Sequence, residues 1–293
     1  MINLKQLIFE VTDACNLRCK YCAYAELYEG YDKRENLHFP FQRAKLIIDY
    51  LYHNYWKKKI CKDITRIINI SFYGGEPLLD VPFIQQVICY IESLPYIGIT
   101  FRYGMTSNGV LLDRYMDFLV EKNFFLLLSL DGDEKGQSYR LNASGRNSFP
   151  DVVRNIRLLR EAYPSFFKDN VQFNSVLHDR NSVESTFSFI KETFDKTPAF
   201  SALNDTDVRE DKMEEFRSMY KNMAKDLKLS ANCGMLEKVL FVNAPQTALL
   251  VDYLRNYSEN FYNSYVSLLI DKKKITLHPT ATCIPFQRKC LLQ

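Results

Sequence analysis

The chain has little of what marks several protein classes. Its 293 residues include one Trp, ten Gly, ten Pro and four His. So few Gly and Pro exclude a collagen-like chain or a low-complexity linker. No charge of one sign dominates: 38 Lys and Arg against 35 Asp and Glu leave a formal net charge of +3. That balance argues against a nucleic-acid partner and against an anionic membrane surface, which both call for a basic footprint. Long hydrophobic runs are missing. The densest, FFLLLSL at Phe124–Leu130, is far shorter than the roughly 20 apolar residues of a membrane span. The opening residues MINLKQLIFE contain neither the apolar stretch nor the small-residue cleavage site of a signal peptide. The expectation is a cytoplasmic chain with no membrane contact. His38, His53, His178 and His278 are scattered, form no ligand pair, and read as structural. No Ser-His-Asp arrangement and no phosphate-binding G-x-x-x-x-G-K-[ST] loop is found.

What is present is a globular composition, 47% hydrophobic and 25% charged. A chain of this length buries a large core without disulfides. Its eight cysteines, in a reducing compartment, are ligands, reactive thiols or core residues.

Six short apolar runs read as strands: Leu4–Val11, Ile67–Tyr73, Ile99–Met105, Phe125–Leu130, Val171–Leu177 and Ala199–Leu203. Helical spacing is seen between them at Phe41–Tyr55, Val81–Ser93, Leu112–Lys122, Asp151–Tyr163 and Ser182–Phe194. Pro82 suits a first helical turn, Asp113 would charge one, and Asp151 and Ser182 are candidate N-caps. Alternating strands and helices predict an α/β fold on a parallel sheet, covered on both faces, as FFLLLSL suggests. An open doubly wound sheet and a βα barrel both satisfy the pattern, and both place chemistry at the strands' C-terminal ends. After residue 204 the pattern changes: Glu210–Leu227 and Ala244–Tyr262 read as two helices. The short basic runs Lys57–Lys59 and Lys272–Lys274 read as solvated surface.

The informative segment is DACNLRCKYCAY, Asp13–Tyr24, directly after the first strand. Cys15, Cys19 and Cys22 form C-x3-C-x2-C. Structural zinc takes four ligands, and no fourth stands nearby, although a distant Cys61 would complete a set. Three close core cysteines are the plainer reading. A four-iron cluster with one iron free of protein ligand fits the three best. In SFYGGEPL, Ser71–Leu78, Gly74 and Gly75 either make a tight turn or let backbone approach a ligand, and Glu76 offers an acceptor to an ammonium.

C-x3-C-x-aromatic-C after a first strand, with Tyr21 as the aromatic, resembles the radical S-adenosylmethionine (SAM) superfamily. The resemblance implies a partial (β/α)6 TIM-type barrel, a [4Fe–4S] cluster on Cys15, Cys19 and Cys22, and SAM on the open iron. It implies that Gly74, Gly75 and Glu76 receive the SAM amino group. Asn108 of TSNG and Ser129 and Asp131 of SLDG resemble signatures at the barrel mouth, with Ser129 a contact to the SAM ribose or carboxylate. Arg140 of SYR resembles an arginine that neutralises the SAM carboxylate. Asn174 and Val176 sit on the fifth strand run, where the family places cofactor contacts, and Tyr24 joins the adenine pocket. Asn108 and Asp131 beside Gly also fit ordinary turns, and Arg140 a surface position.

EVTDACNLRCKYCAY, INISFYGGEPLL, SLDG followed by SYR, NSVLHDRNSVE and PTATCIPFQR are similar to radical SAM peptide maturases acting on precursors with a double-glycine leader. The implied partners are a precursor peptide and a reducing electron donor, and the initial reaction is hydrogen abstraction. Such maturases continue into a cysteine-rich SPASM module whose first cysteine would match Cys283. No Gly follows Cys283, and Cys290 is only seven residues on. The expected division is therefore a core barrel over 1–204, a helical extension over 205–280, and the remnant of a SPASM-like start over 281–293, in a truncated member. With the cysteine loop beginning by residue 15, the expectation is that no N-terminal leader-recognition domain precedes it. Two other functions fit: a cluster-binding remnant that docks a peptide or partner without turnover, and sulfatase maturation. Cys61, Cys89, Cys233, Cys283 and Cys290 have no assigned role.

Overall fold

The computed structural model describes residues 6–30, 34–57, 67–95, 98–240 and, for the backbone, 289–292. Cys61, His278, Cys283, the run Lys272–Lys274, the expected helix Ala244–Tyr262 and the segment Pro279–Arg288 lie outside the described residues, as does the side chain of Cys290.

All six expected strands form. In chain order the strands are β1 Gln6–Thr12, β2 Leu17–Cys19, β3 Ile67–Gly74, β4 Thr100–Ser107, β5 Phe125–Ser129, β6 Arg140–Asn142, β7 Val171–Val176, β8 Ala199–Ser201 and β9 Lys289–Leu292. Seven of them make one sheet in the order β8-β7-β5-β4-β3-β1-β9, every pairing parallel. β8 and β9 end it at opposite edges, so the barrel is partial. β2 and β6 pair antiparallel as a separate ribbon at the mouth, Cys19 opposite Arg140.

The helices are α1 Phe41–Leu51, α2 Val81–Ser93, α3 Leu112–Glu121, α4 Phe149–Ala162, α5 Pro164–Asn170, α6 Val183–Phe194, α7 Met213–Met219, α8 Met223–Leu229 and α9 Cys233–Leu240. α1 runs on into a π-helical turn, Tyr52–Trp56, where Trp56 is buried. Ser182 caps α6 with a reciprocal capping box to Ser185. Asp151 is not an N-cap. The cap of α4 is Ser148, whose hydroxyl accepts from Gln137 instead, and Asp151 lies in the first turn, 3.5 Å from Arg154. The expected helix Glu210–Leu227 is broken at Tyr220–Asn222. There Tyr220 is extended and bridges to His178, and the Asn222 side chain accepts from the Lys225 N–H to start α8 afresh.

Strand alternation separates two faces. Leu7, Phe9 and Val11 of β1 are fully buried against the helices, whereas Gln6, Ile8 and Glu10 face inward and are half-buried. Phe9 packs on the rings of Phe39, Phe72 and Phe83, with centroids 5.8–6.2 Å away. Truncating such a ring costs about 3–5 kcal/mol. Register places Ile8, Ser71, Gly104 and Phe125 in one inward row. The apolar run FFLLLSL is covered by helices on one face only: Leu126 and Leu128 are buried, while Phe125 remains 44% exposed toward the interior. That interior holds a cavity of about 490 Å³ lined by Gln6, Ile8, Asn69, Ser71, Thr106 and Leu127.

Candidate active site

The site is built where β1 and β3 end. Gly75 N–H donates to Thr12 C=O at 2.7 Å and Glu76 N–H to Ala14 C=O at 2.9 Å. This clips the loop after β3 onto the cysteine loop. The two glycines are needed for that contact. A Cβ at Gly74 would stand 2.3 Å from Thr12 O, and one at Gly75 2.1 Å from Ala14 O. Their bare backbone is thus used on the cysteine loop itself.

Glu76 is completely buried. Its Oε1 accepts from Leu78 N–H (3.1 Å) and the Ser107 hydroxyl (2.9 Å), and its Oε2 from Asn108 N–H (2.8 Å). Burial pushes its pKa up to about 7 despite these three donors. The Asn108 side chain continues outward, donating to Asn16 Oδ1 at 2.7 Å and to Cys15 Sγ at 3.7 Å. Leu17 N–H also donates to Cys15 Sγ, at 3.4 Å. One set of expected residues, Gly74, Gly75, Glu76, Asn108 and Cys15, is therefore brought together.

A second set gathers on the other side of the loop. Asp131 is completely buried and Arg140 nearly so. They pair bidentately, Nε to Oδ2 at 2.9 Å and Nη2 to Oδ1 at 3.1 Å. Oδ1 also accepts from Val176 N–H at 2.9 Å, and Oδ2 from the Tyr21 hydroxyl. Burial alone would raise the Asp131 pKa. The Arg140 charge and the donors around the carboxylate outweigh it and hold the pKa at about 2. Arg140 stands over the Tyr21 ring at 5.4 Å. Gln137 and Asn181 fix the Asp131 backbone, accepting from its N–H at 2.8 Å and donating to its C=O at 2.9 Å.

Ser129 and Asn174 are opposite one another on β5 and β7, both half-buried. Asn174 Oδ1 accepts from the Ser201 hydroxyl at 3.0 Å. Tyr24 is not part of either set. It lines a separate cavity of about 320 Å³ with Glu10, Thr12, Asp13 and His38, and Arg34 stands 5.4 Å from its ring.

Cys15, Cys19 and Cys22 are free and half-buried on one loop. Burial raises the Cys15 thiol and pushes Cys19 up to about 12. A thiolate there needs a bound cation to persist. Among the described residues, no three His, Cys, Asp or Glu converge on a single ion. Tetrahedral zinc would need sulfurs at about 2.3 Å from one centre, and the described residues form no such centre. A cluster divides its cysteine ligands among separate irons, and hydrogen bonds to the sulfurs tune it. Those from Leu17 and Asn108 to Cys15 suit that chemistry.

Sequence reasoning gave no role to Ser107 or Asn16 and read His178 as structural. Ser107 was legible as the residue inside TSNG that precedes the flagged asparagine. Nothing in the sequence distinguished His178 from the other histidines.

A parallel βα partial barrel with its thiols and buried polar residues gathered at the strand C-termini has the architecture of a barrel enzyme. The model of the radical SAM superfamily matches residues 9–184, more than half of the chain. The chain belongs to that superfamily, whose members are enzymes that use a [4Fe–4S] cluster with SAM. It is 29% identical over 162 residues to a cysteine-type anaerobic sulfatase-maturating enzyme of Clostridium novyi, covering 54% of this chain and 41% of the relative. It is 25% identical over 178 residues to the radical SAM cyclopropyl synthase TigE of Paramaledivibacter caminithermalis, covering 59% of this chain and 35% of the relative. The chain thus spans less than half the length of these two. A solved structure described as native anSMEcpe with bound AdoMet superposes with a TM-score of 0.57 at 21% identity, over 69% of this chain and 52% of that one. That likeness supports the fold. Among the described residues, no helix is long and apolar enough to cross a membrane.

Proposed function

We propose that Cys15, Cys19 and Cys22 hold the cluster and that the chain acts in the maturation of a ribosomally made peptide. The observation that carries the cluster assignment is the cysteine loop itself. Three free thiols lie on one turn, clipped to β3 by the Gly74–Glu76 backbone and hydrogen-bonded at Cys15 by Leu17 and Asn108. When bound, the cofactor pair supplies a 5′-deoxyadenosyl radical for hydrogen abstraction. The chain's own residues bind, orient and shield it. Glu76 has acceptor capacity left on Oε2 for an ammonium, and Asn108 and Ser107 hold it in place. Arg140 uses two of its donors on Asp131. Three of the five donors of a guanidinium stay free for a SAM carboxylate. Ser129 and Asn174 present polar groups on the inward face of β5 and β7. Tyr24 offers an aromatic surface for adenine.

The peptide assignment is supported by the sulfatase-maturating relatives, and a reducing electron donor belongs to the same reading. The double-glycine-leader group is the finer reading, carried by overall likeness. Sulfatase maturation is the second reading, favoured by the several sulfatase-maturating relatives. The division into a 1–204 barrel, a 205–280 extension and a SPASM-like start at 281 belongs to the same proposal. A reducing, cytoplasmic setting accords with the five free cysteines of the described residues.

The test is anaerobic reconstitution with iron and sulfide, followed by SAM and a strong reductant. About four irons per chain together with 5′-deoxyadenosine is the expected result. Iron without deoxyadenosine would leave a cluster-binding chain that docks a peptide without turnover. Absence of iron would overturn the ligand assignment.

A further inference from the structure

His178 closely follows β7 and is completely buried. Its ring stacks on Tyr21 at 5.7 Å and 28°, and meets Tyr139 edge-on at 4.8 Å. Nδ1 accepts the Arg180 backbone N–H at 3.2 Å. That bond assigns the ring proton to Nε2. Nε2 has no hydrogen-bond partner, and faces Asp131 Oδ2 at 3.8 Å. A buried N–H left without a partner is rare and disfavours folding unless something offsets it. Here it lies 3.8 Å from a buried carboxylate, where a low dielectric strengthens the attraction.

Two donors that hold the same Oδ2 reach into the cysteine loop. The Tyr21 hydroxyl is one, and Tyr21 stands between Cys19 and Cys22. Arg140 Nε is the other, and the Arg140 backbone pairs with Cys19. His178 thus stacks on the ring of the residue between two cysteines in the sequence, and stands 3.8 Å from the carboxylate that anchors that ring.

We propose that His178 is a positioning residue for the cysteine loop. It holds the Tyr21 ring and the Asp131 carboxylate, and through them fixes the placement of Cys19 relative to Cys22. The inference rests on the reading that these cysteines bind the cluster. A plain core histidine would fill space and do nothing more.

Two variants separate these roles. His178→Phe keeps a flat ring and removes both nitrogens. His178→Gln removes the ring and returns a donor within reach of Asp131. Amide hydrogen exchange at residues 19–22 is measured on the full metal-free chain, alongside its melting temperature. The electron paramagnetic resonance spectrum of the reduced, reconstituted chain is recorded with and without SAM. In His178→Phe, exchange at 19–22 should rise roughly tenfold, the upper end of what one ordinary polar contact contributes, with the barrel strands unchanged. The SAM-induced spectral change should shrink, and His178→Gln should recover part of both effects. Wild-type exchange and spectra in His178→Phe would overturn the proposal. So would faster exchange across the whole barrel in step with a lower melting temperature. If the wild-type chain takes up no iron, the cluster assignment fails, and the metal-free exchange still decides the role of His178.

Discussion

Glu76 and Asp131 stand on two sides of the same loop, at the ends of β3 and β5, both completely shielded from water. Burial works against the charge on each. Glu76 receives three neutral donors and its pKa still climbs to about 7. Asp131 receives a guanidinium fork as well as neutral donors and falls to about 2. Hydrogen bonds from amides and hydroxyls therefore do not offset desolvation here, whereas one opposed charge does. The two halves of the mouth are built on different physics. The Glu76 half is a bracket held by amide and hydroxyl donors, and burial pushes its carboxyl toward protonation. The Asp131 half is a locked ion pair.

The largest effect should come from breaking the lock. Asp131→Asn leaves Arg140 buried without its anion. Stranding one member of a buried pair costs about 3–5 kcal/mol, read by denaturant unfolding of the metal-free chain. The double variant Asp131→Asn with Arg140→Gln should recover a large part of that loss. If the single variant unfolds at the wild-type midpoint, the pair is not the clamp described. Gly75→Ala attacks the bracket instead. Its Cβ meets Ala14 O at 2.1 Å and Asp13 O at 2.6 Å, both backbone atoms. The cysteine loop must shift, so iron uptake should fall sharply; full uptake in Gly75→Ala would show that the two loops do not pack this closely.

The contrast between the halves explains what could be read in advance. The six strands, and α2 and α6 with their ends, follow from local periodicity and capping, which need no distant partner. The cysteines and GGE were legible because their chemistry is compressed into short motifs. The Asp131–Arg140 pair was not: each residue stood out, yet their mutual contact depends on the loop between β5 and β6 folding back on itself. The ribbon of β2 and β6 is three residues on each side, too short for a periodic signal, and joins segments more than a hundred residues apart. The glycines were read as a tight turn or as backbone that approaches a ligand; the close approach visible in the fold is to Thr12 and Ala14 of the cysteine loop. The break at Tyr220–Asn222 is a tertiary override, since Tyr220 bridges to His178 across the fold.

The Glu76 bracket should reveal itself in a pH profile. Its folded pKa, about 7, exceeds its ordinary 4.5, so between these values the folded chain binds more protons than the unfolded one. The stabilisation from protonated Glu76 is fully present below pH 4.5 and is lost as pH rises through 7. The span is worth roughly 3 kcal/mol. Asp131 works in the opposite sense, and only in acid: its contribution is present above pH 3.8 and is lost as pH falls toward 2. Unfolding free energies of wild type and Glu76→Gln from pH 4.5 to 8 isolate the first slope, which the variant should lack. Parallel profiles would mean that Glu76 stays ionised throughout. A cation bound beside Glu76 lowers its pKa, so SAM added to the reconstituted chain should flatten the wild-type slope if Glu76 is its partner.

The smallest effect sharpens the role of burial in the comparison. Lys20 and Glu215 join the cysteine loop to α7 with a 2.6 Å ion pair, whereas Arg140 and Asp131 join β6, the partner strand of β2, to the end of β5. Lys20 and Glu215 are 43% and 36% exposed at the side chain, against 8% and 0% for Arg140 and Asp131. Water and salt screen the outer pair, and its members lose little hydration when they meet. Such contacts contribute about 0–1 kcal/mol, so Glu215→Gln should shift the unfolding midpoint barely and less still at high salt. The stretch before α7 also meets the chain just after the cysteine loop: the Tyr28 hydroxyl donates to Asn204 C=O at 2.9 Å, and Arg209 N–H to Leu27 C=O at 2.9 Å. These bonds survive the substitution. If Glu215→Gln destabilised the chain as much as Asp131→Asn, depth of burial would not be what sets the two ion pairs apart.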